Sequence, residues 1–286
     1  MMARVANGRS NIYNASARAK ARKAALIDTT RMRQLIQQGT DSIGVSIGEL
    51  GYRSEMDLYA TRMDGADAIE AALFHNLDND LAQVMGFCQG HLKSLVAIYV
   101  ERFDYEKAKT VLRAINGGAS DEIIESQILP SENPRNATWL NIVRTTEGLQ
   151  EAVDAMSGTP WGRTLANLEG DPELEEMENA LDMQYFSDAL KAVRGRDGGP
   201  RLLRYLRMEI DHRNIINEFR AIRMEMAFEK RVSMIITGGK VDVGTKRQST
   251  QAERCALYTS DAADDSTGVR PGGHEASTTK KQELSP

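Results

Sequence analysis

Residues 103–115 return 107 positions later as residues 210–222, without a gap. Both copies carry an Asp (Asp104, Asp211) and, eight positions on, an apolar residue (Leu112, Phe219). Both then close on Arg-Ala-Ile, which places Arg113 and Arg220 at equivalent positions. Upstream, Ala72-Leu73 recurs as Ala180-Leu181 and Asp80 as Asp188, at an offset of 108. A period this long marks a duplicated small domain and not a short solenoid unit. It predicts two tandem pseudo-symmetric helical units over residues 13–120 and 121–228, behind a flexible N-terminus over 1–12.

Hydrophobic periodicity makes the class all-α. Ile69, Leu73, Leu77, Leu81, Val84, Cys88, Leu92, Leu95 and Tyr99 follow steps of three and four only. A single helix over 67–102 is expected, weakened by Gly86 and Gly90. Asp104 then reads as the N-cap of a further helix stopped by Gly117-Gly118, and Asp211 as the cap of its counterpart, which runs to about 228 without a glycine stop. Helices are also expected over 15–39, 139–157, 173–194 and 201–228, with breaks at 128–138, 158–162 and 195–200. The stretch 233–236 is too short and isolated to count as a sheet.

Chemistry is sparse. The chain has 286 residues, a net charge of −5, four histidines and two cysteines, Cys88 and Cys255. That balance argues against a dedicated nucleic-acid binder, and the lone cysteines suit a reducing compartment. No phosphate loop, dinucleotide fingerprint or nucleophile elbow is present, so no catalytic residue, cofactor or metal is expected. His75 and Asp78 stand at i and i+3, a pair expected on a solvated helix face. The acidic run 169–178 reads as carboxylates gathered at a helix N-terminus, with Pro172 opening it. Residues 1–33 hold eight Lys or Arg against one acid, Asp28. Arg18, Lys20, Arg22, Lys23, Arg31 and Arg33 form a solvated helix face or, alternatively, a site for RNA or acidic lipid. Arg113 and Arg220 form intradomain ion pairs with carboxylates of neighbouring helices or, alternatively, line a socket that grips a partner helix.

Together these features resemble the C subunit of the archaeal A-type ATP synthases, the counterpart of the d subunit of V-type ATPases. Residues 13–22 resemble the family's opening Tyr-x-x-x-x-Arg-x-x-Ala run. The segments from Asp104 to Arg113 and from Asp211 to Arg220 resemble its repeated Asp-x-x-Asn-x-x-x-x-x-Arg signature; Asn214 keeps the Asn, whereas Lys107 replaces it in the first copy. Gly158-Thr159-Pro160-Trp161-Gly162 resembles a turn of the family's middle domain. The resemblance covers residues 13–230. It implies a funnel of three helical domains on the cytoplasmic face of the membrane rotor ring, peripheral to the membrane. The funnel receives the central shaft and couples it to the ring during proton- or sodium-driven ATP synthesis. The ring and shaft proteins would be the partners, with no nucleic acid and no catalytic residue. Two repeats are present, and a third would begin near residue 230. Residues 229–286 are therefore expected to be a remnant of that repeat followed by a disordered tail from 238. Within it, residues 255–265 resemble the translation of a transposon-type sequencing adaptor, which would make the tail an artefact.

Overall fold

The computed structural model describes residues 8–241, apart from 64, 147, 171 and 197. Every regular element among them is helical. In chain order these are α1 (Ile12–Ala24), α2 (Thr29–Ile36), α3 (Thr40–Ile47), a π-turn (Gly48–Tyr52), α4 (Arg53–Tyr59), α5 (Gly65–Phe87) and α6 (Gly90–Asn116). They continue as α7 (Asp121–Ile123) with a second π-turn (Ile124–Ile128), a 3-10 turn (Pro134–Asn136), α8 (Ala137–Arg144), α9 (Leu149–Ala155) and α10 (Pro160–Ala166). Last come α11 (Leu174–Val193), α12 (Gly199–Arg223) and α13 (Phe228–Ser233). The largest core gathers α6 and α8 to α12 around Leu112, Trp139, Met156, Phe186 and Leu206. A smaller one joins α2 to α5 around Tyr59 and Ala72.

The helix expected over 67–102 is two helices. Gln89 is extended and Gly90 takes φ +55°, where a Cβ would lie 2.3 Å from the Gly8 carbonyl oxygen. Only glycine fits that crossing. The exposed backbone groups are met from the N-terminus: Asn11 donates to the Phe87 carbonyl at 2.8 Å and accepts from Gln89 N at 3.0 Å, and Ser10 Oγ accepts from Leu92 N. The helix expected over 15–39 is likewise broken, because Asp28 accepts from Arg31 N at 2.8 Å and starts α2 afresh.

Asp104 and Asp211 are not N-caps. Each lies deep inside a long helix, α6 or α12, whose N-terminal neighbours are Gln89 and Gly198. The apolar period runs straight through both aspartates, and packing along it holds the helix across the sequence-level start signal. At the other end the two helices stop alike. Gly118, at φ +68°, is followed by Ala119 N donating to the Ala114 carbonyl. Glu225, at φ +55°, is followed by Met226 N donating to the Ala221 carbonyl. Glu225 stands 107 positions after Gly118, so it adopts the left-handed cap without being a glycine, and α12 ends at Arg223 instead of near 228.

The chain beyond 236 corrects another expectation. Ile236 is buried, and Asn214 both donates to its carbonyl (2.8 Å) and accepts from its N–H (2.9 Å). Lys240 N donates to Asp211 Oδ2 at 2.8 Å. Gly238 and Gly239 run so close to Leu190 and Asp211 that a Cβ would meet them at 2.4 and 2.2 Å. Residues 238–240 are thus packed by the two polar side chains that the second repeat carries. The rest of the tail, with Cys255, the adaptor-like stretch and His274, lies outside the described residues.

Candidate functional site

Arg113 and Arg220 face one cleft of about 410 Å³, walled by α6, α11 and α12. Helical spacing puts Glu106, Lys109 and Arg113 on one face of α6, at steps of three and four. The same spacing aims Glu178 and Asp182 from α11. At its heart Asp182 accepts from Lys109 Nζ at 2.9 Å and from Arg213 at 2.8 Å. Glu106 accepts from the same two cations, at 2.9 and 2.7 Å. Arg213 also lies over the Phe186 ring at 5.5 Å. Lys109 is only 3% exposed, and the network ties α6, α11 and α12 together. Burial pushes the Glu106 carboxyl up, but Lys109 and Arg213 outweigh it and leave the pKa below its ordinary value.

The two equivalent arginines differ. Arg113 forks onto Glu178, its Nη2 2.7 Å from Oε2. That pair bridges α6 and α11, and so crosses between the two repeats. Arg220 is exposed and makes no ion pair among the described residues. The arrangement binds helices to one another; it offers no nucleophile beside a base.

Other candidates fall into place around it. Asp104 sits half-buried in α6. Burial raises its carboxyl, and Arg135 and Lys107 pull the other way. His75 and Asp78 are buried and not solvated as expected, because α5 turns that face towards α4 and the 130s loop. Tyr59 and His75 share a hydrogen bond at 3.0 Å, and burial pushes the Tyr59 phenol up to about 12. Asp78 accepts from Lys107 Nζ and Asn133 Nδ2, each at 2.7 Å. Among the described residues no group of three or more His, Cys, Asp or Glu is placed to hold a metal. The acidic run does open a helix: Glu173 and Glu176 form a capping box at the start of α11, and Lys230 binds Glu173 and Glu175 at 2.7 and 3.3 Å. In the basic set, Arg22 pairs with Asp80 and Arg18 stacks on Phe87, while Lys20, Lys23, Arg31 and Arg33 stay exposed. Sequence reasoning missed Lys109, Asp182 and Arg213. Their only signal was an ionisable residue recurring on an otherwise apolar stripe.

Fold and cleft together define a class: an all-α protein whose cleft carries ion pairs between helices. Comparison with known proteins makes it specific. The family model described as ATP synthase (C/AC39) subunit matches residues 15–255, and the chain belongs to that family. It is 30% identical over 246 residues to the A-type ATP synthase C subunit of Haloferax volcanii, covering 85% of this chain and 70% of the relative. The corresponding protein of Methanococcoides burtonii is 29% identical over 232 residues, covering 80% and 64%. That of Methanosarcina acetivorans is 28% identical over 250 residues, covering 85% and 68%. The chain thus spans about two thirds of the length of these relatives. Among the described residues no helix is long and apolar enough to cross a membrane.

Proposed function

We propose that this protein is a non-catalytic central-stalk component of an A-type ATP synthase. In this reading it sits peripherally on the cytoplasmic face of the membrane and couples the proteolipid rotor ring to the central shaft while protons or sodium ions drive ATP synthesis. The observation that carries the reading is the family match over residues 15–255. The architecture supports it physically. A part that transmits torque must resist shear between its helices, and ion pairs buried between α6, α11 and α12 have definite geometry and resist sliding. Residues 13–120 and 121–228 would act as two like domains, with Arg113 fixing one to the other. Arg220 would remain available to a partner helix.

The test is capture. Tagged protein immobilised on resin is offered the purified rotor ring and, separately, the shaft proteins of an A-type synthase. Retention of both, with no ATP turnover by the protein alone, is expected. If neither is retained above a control helical protein, the coupling role fails.

A further inference from the structure

Two of the hydrophobic cores share no residue. The smaller joins α2 to α5, and the larger gathers α6 and α8 to α12. Polar bonds link these two bodies: Asp78 of α5 accepts from Lys107 Nζ and Asn133 Nδ2, and Arg62 pairs with Glu132. Contacts of this kind open without uncovering a large apolar surface, because water replaces each partner, and relative motion is then the default.

The chain passes from one body to the other at Phe87–Gly90. Gln89 is extended and Gly90 sits at φ +55°, so two residues absorb the change of direction between α5 and α6, as hinge residues do. The apolar period runs through this joint unbroken, from Val84 to Cys88 to Leu92, so the joint's own apolar pattern does not encode the bend. The N-terminal residues hold it. α1 rides on α5, with Ala15 buried against Phe87 and Cys88, Arg18 over the Phe87 ring and Arg22 paired with Asp80. Its leading residues reach across the joint: Asn11 spans the Phe87 carbonyl and Gln89 N, and Ser10 Oγ accepts from Leu92 N on α6 at 3.1 Å. Leu92 and Val96 of α6 also pack on the Ala15 cluster. The grip is shallow, since Gly8 and Arg9 are exposed and a hydroxyl holds the first turn of α6.

We infer that α1 to α5 form an arm that swings on the joint at Phe87–Gly90, and that residues 8–11 are the latch that closes it against α6. Closed, the latch and the Asp78 bonds hold the arm against the larger body; with the latch off, the arm turns as one piece on its own core. The inference does not rest on the coupling role, because it follows from the two cores and the joint.

The experiment pairs amide exchange with a distance measurement by electron paramagnetic resonance on the full chain. Spin labels are placed on the arm at Glu70→Cys and on the body at Asn141→Cys, both exposed sites, with Cys255→Ser and the buried Cys88 kept. With the latch intact one distance should dominate. In Ser10→Ala/Asn11→Ala the amides of Gln89 and Leu92 should exchange about tenfold faster, the scale of one lost hydrogen bond. A second, distinct distance should appear, with helicity by circular dichroism unchanged. Adding Asp78→Asn, which weakens the link to Lys107, should enlarge its share. A single unchanged distance in the triple variant overturns the inference and makes the joint a fixed elbow. Unchanged exchange overturns it too, since residues 8–11 would then hold nothing. Loss of helicity on removing the latch overturns it as well, because the arm would not stand on its own core.

Discussion

The helices α6 and α12 carry the same repeated segment, yet one is central and the other peripheral. On α6, Ala108, Lys109 and Leu112 are at most 3% exposed; on α12 their counterparts Ile215, Ile216 and Phe219 are 36 to 54% exposed. The difference lies in what covers them. α11 lies on α6, whereas the corresponding face of α12 is open among the described residues. One amphipathic pattern can thus serve as core or as surface, depending on the next element in space. A buried cation needs its own carboxylates, and Lys109 has two; Ile216, being uncharged, needs none.

Substitutions can break this comparison. The largest effect is expected at Asp182. Replacing it with Ala leaves Lys109 and Arg213 short of a carboxylate in a buried cleft and should cost about 3–5 kcal/mol in urea denaturation. Ile216→Ala, at the α12 place matching Lys109, should stay within about 0.5 kcal/mol, as exposed substitutions usually do. Equal losses would mean that the two faces are equally covered.

Next is Asn214, whose side chain satisfies both backbone groups of buried Ile236. Asn214→Ala should cost about 1–3 kcal/mol for each group left unpaired, and should speed amide exchange at Ile236. A silent variant would show that residues 236–240 do not depend on α12.

A smaller and opposite pair of effects is expected at the helix ends. Glu225→Gly should raise stability by about 1 kcal/mol by removing the strain of a side-chain-bearing residue at φ +55°. Gly118→Ala should lower it by about the same amount. A destabilised Glu225→Gly would indicate that the Glu225 side chain has a role of its own.

The smallest effect is one of pH. Glu106 has its folded pKa held below the ordinary 4.5, so its ionisation stabilises the fold above that pH. That contribution should fade as pH falls below 4.5 towards the folded pKa. In Glu106→Gln the stability curve should be flatter over that acidic range. An unchanged slope would mean that Lys109 and Arg213 draw their stabilisation from Asp182 alone.

The sequence by itself determined the helical class, the repeat of one segment at an offset of 107, the α11 and α12 boundaries near the Gly-rich turn, and the absence of familiar catalytic motifs. It also picked out Arg113 and Arg220 as equivalent. These are local or periodic properties: three- and four-residue spacing, glycine at turns, and register between copies. Tertiary structure decided the rest. It alone showed that Asp104 and Asp211 lie inside helices, because a capping residue and a mid-helix polar residue look the same until packing shows whether the helix continues. It alone brought Asp182 within reach of Lys109 and Arg213, whose separation along the chain hides that they share a cleft. It alone paired Arg113 with Glu178 and left Arg220 without an ion pair among the described residues, since pairing depends on which helix lies opposite and not on the residues of the helix itself.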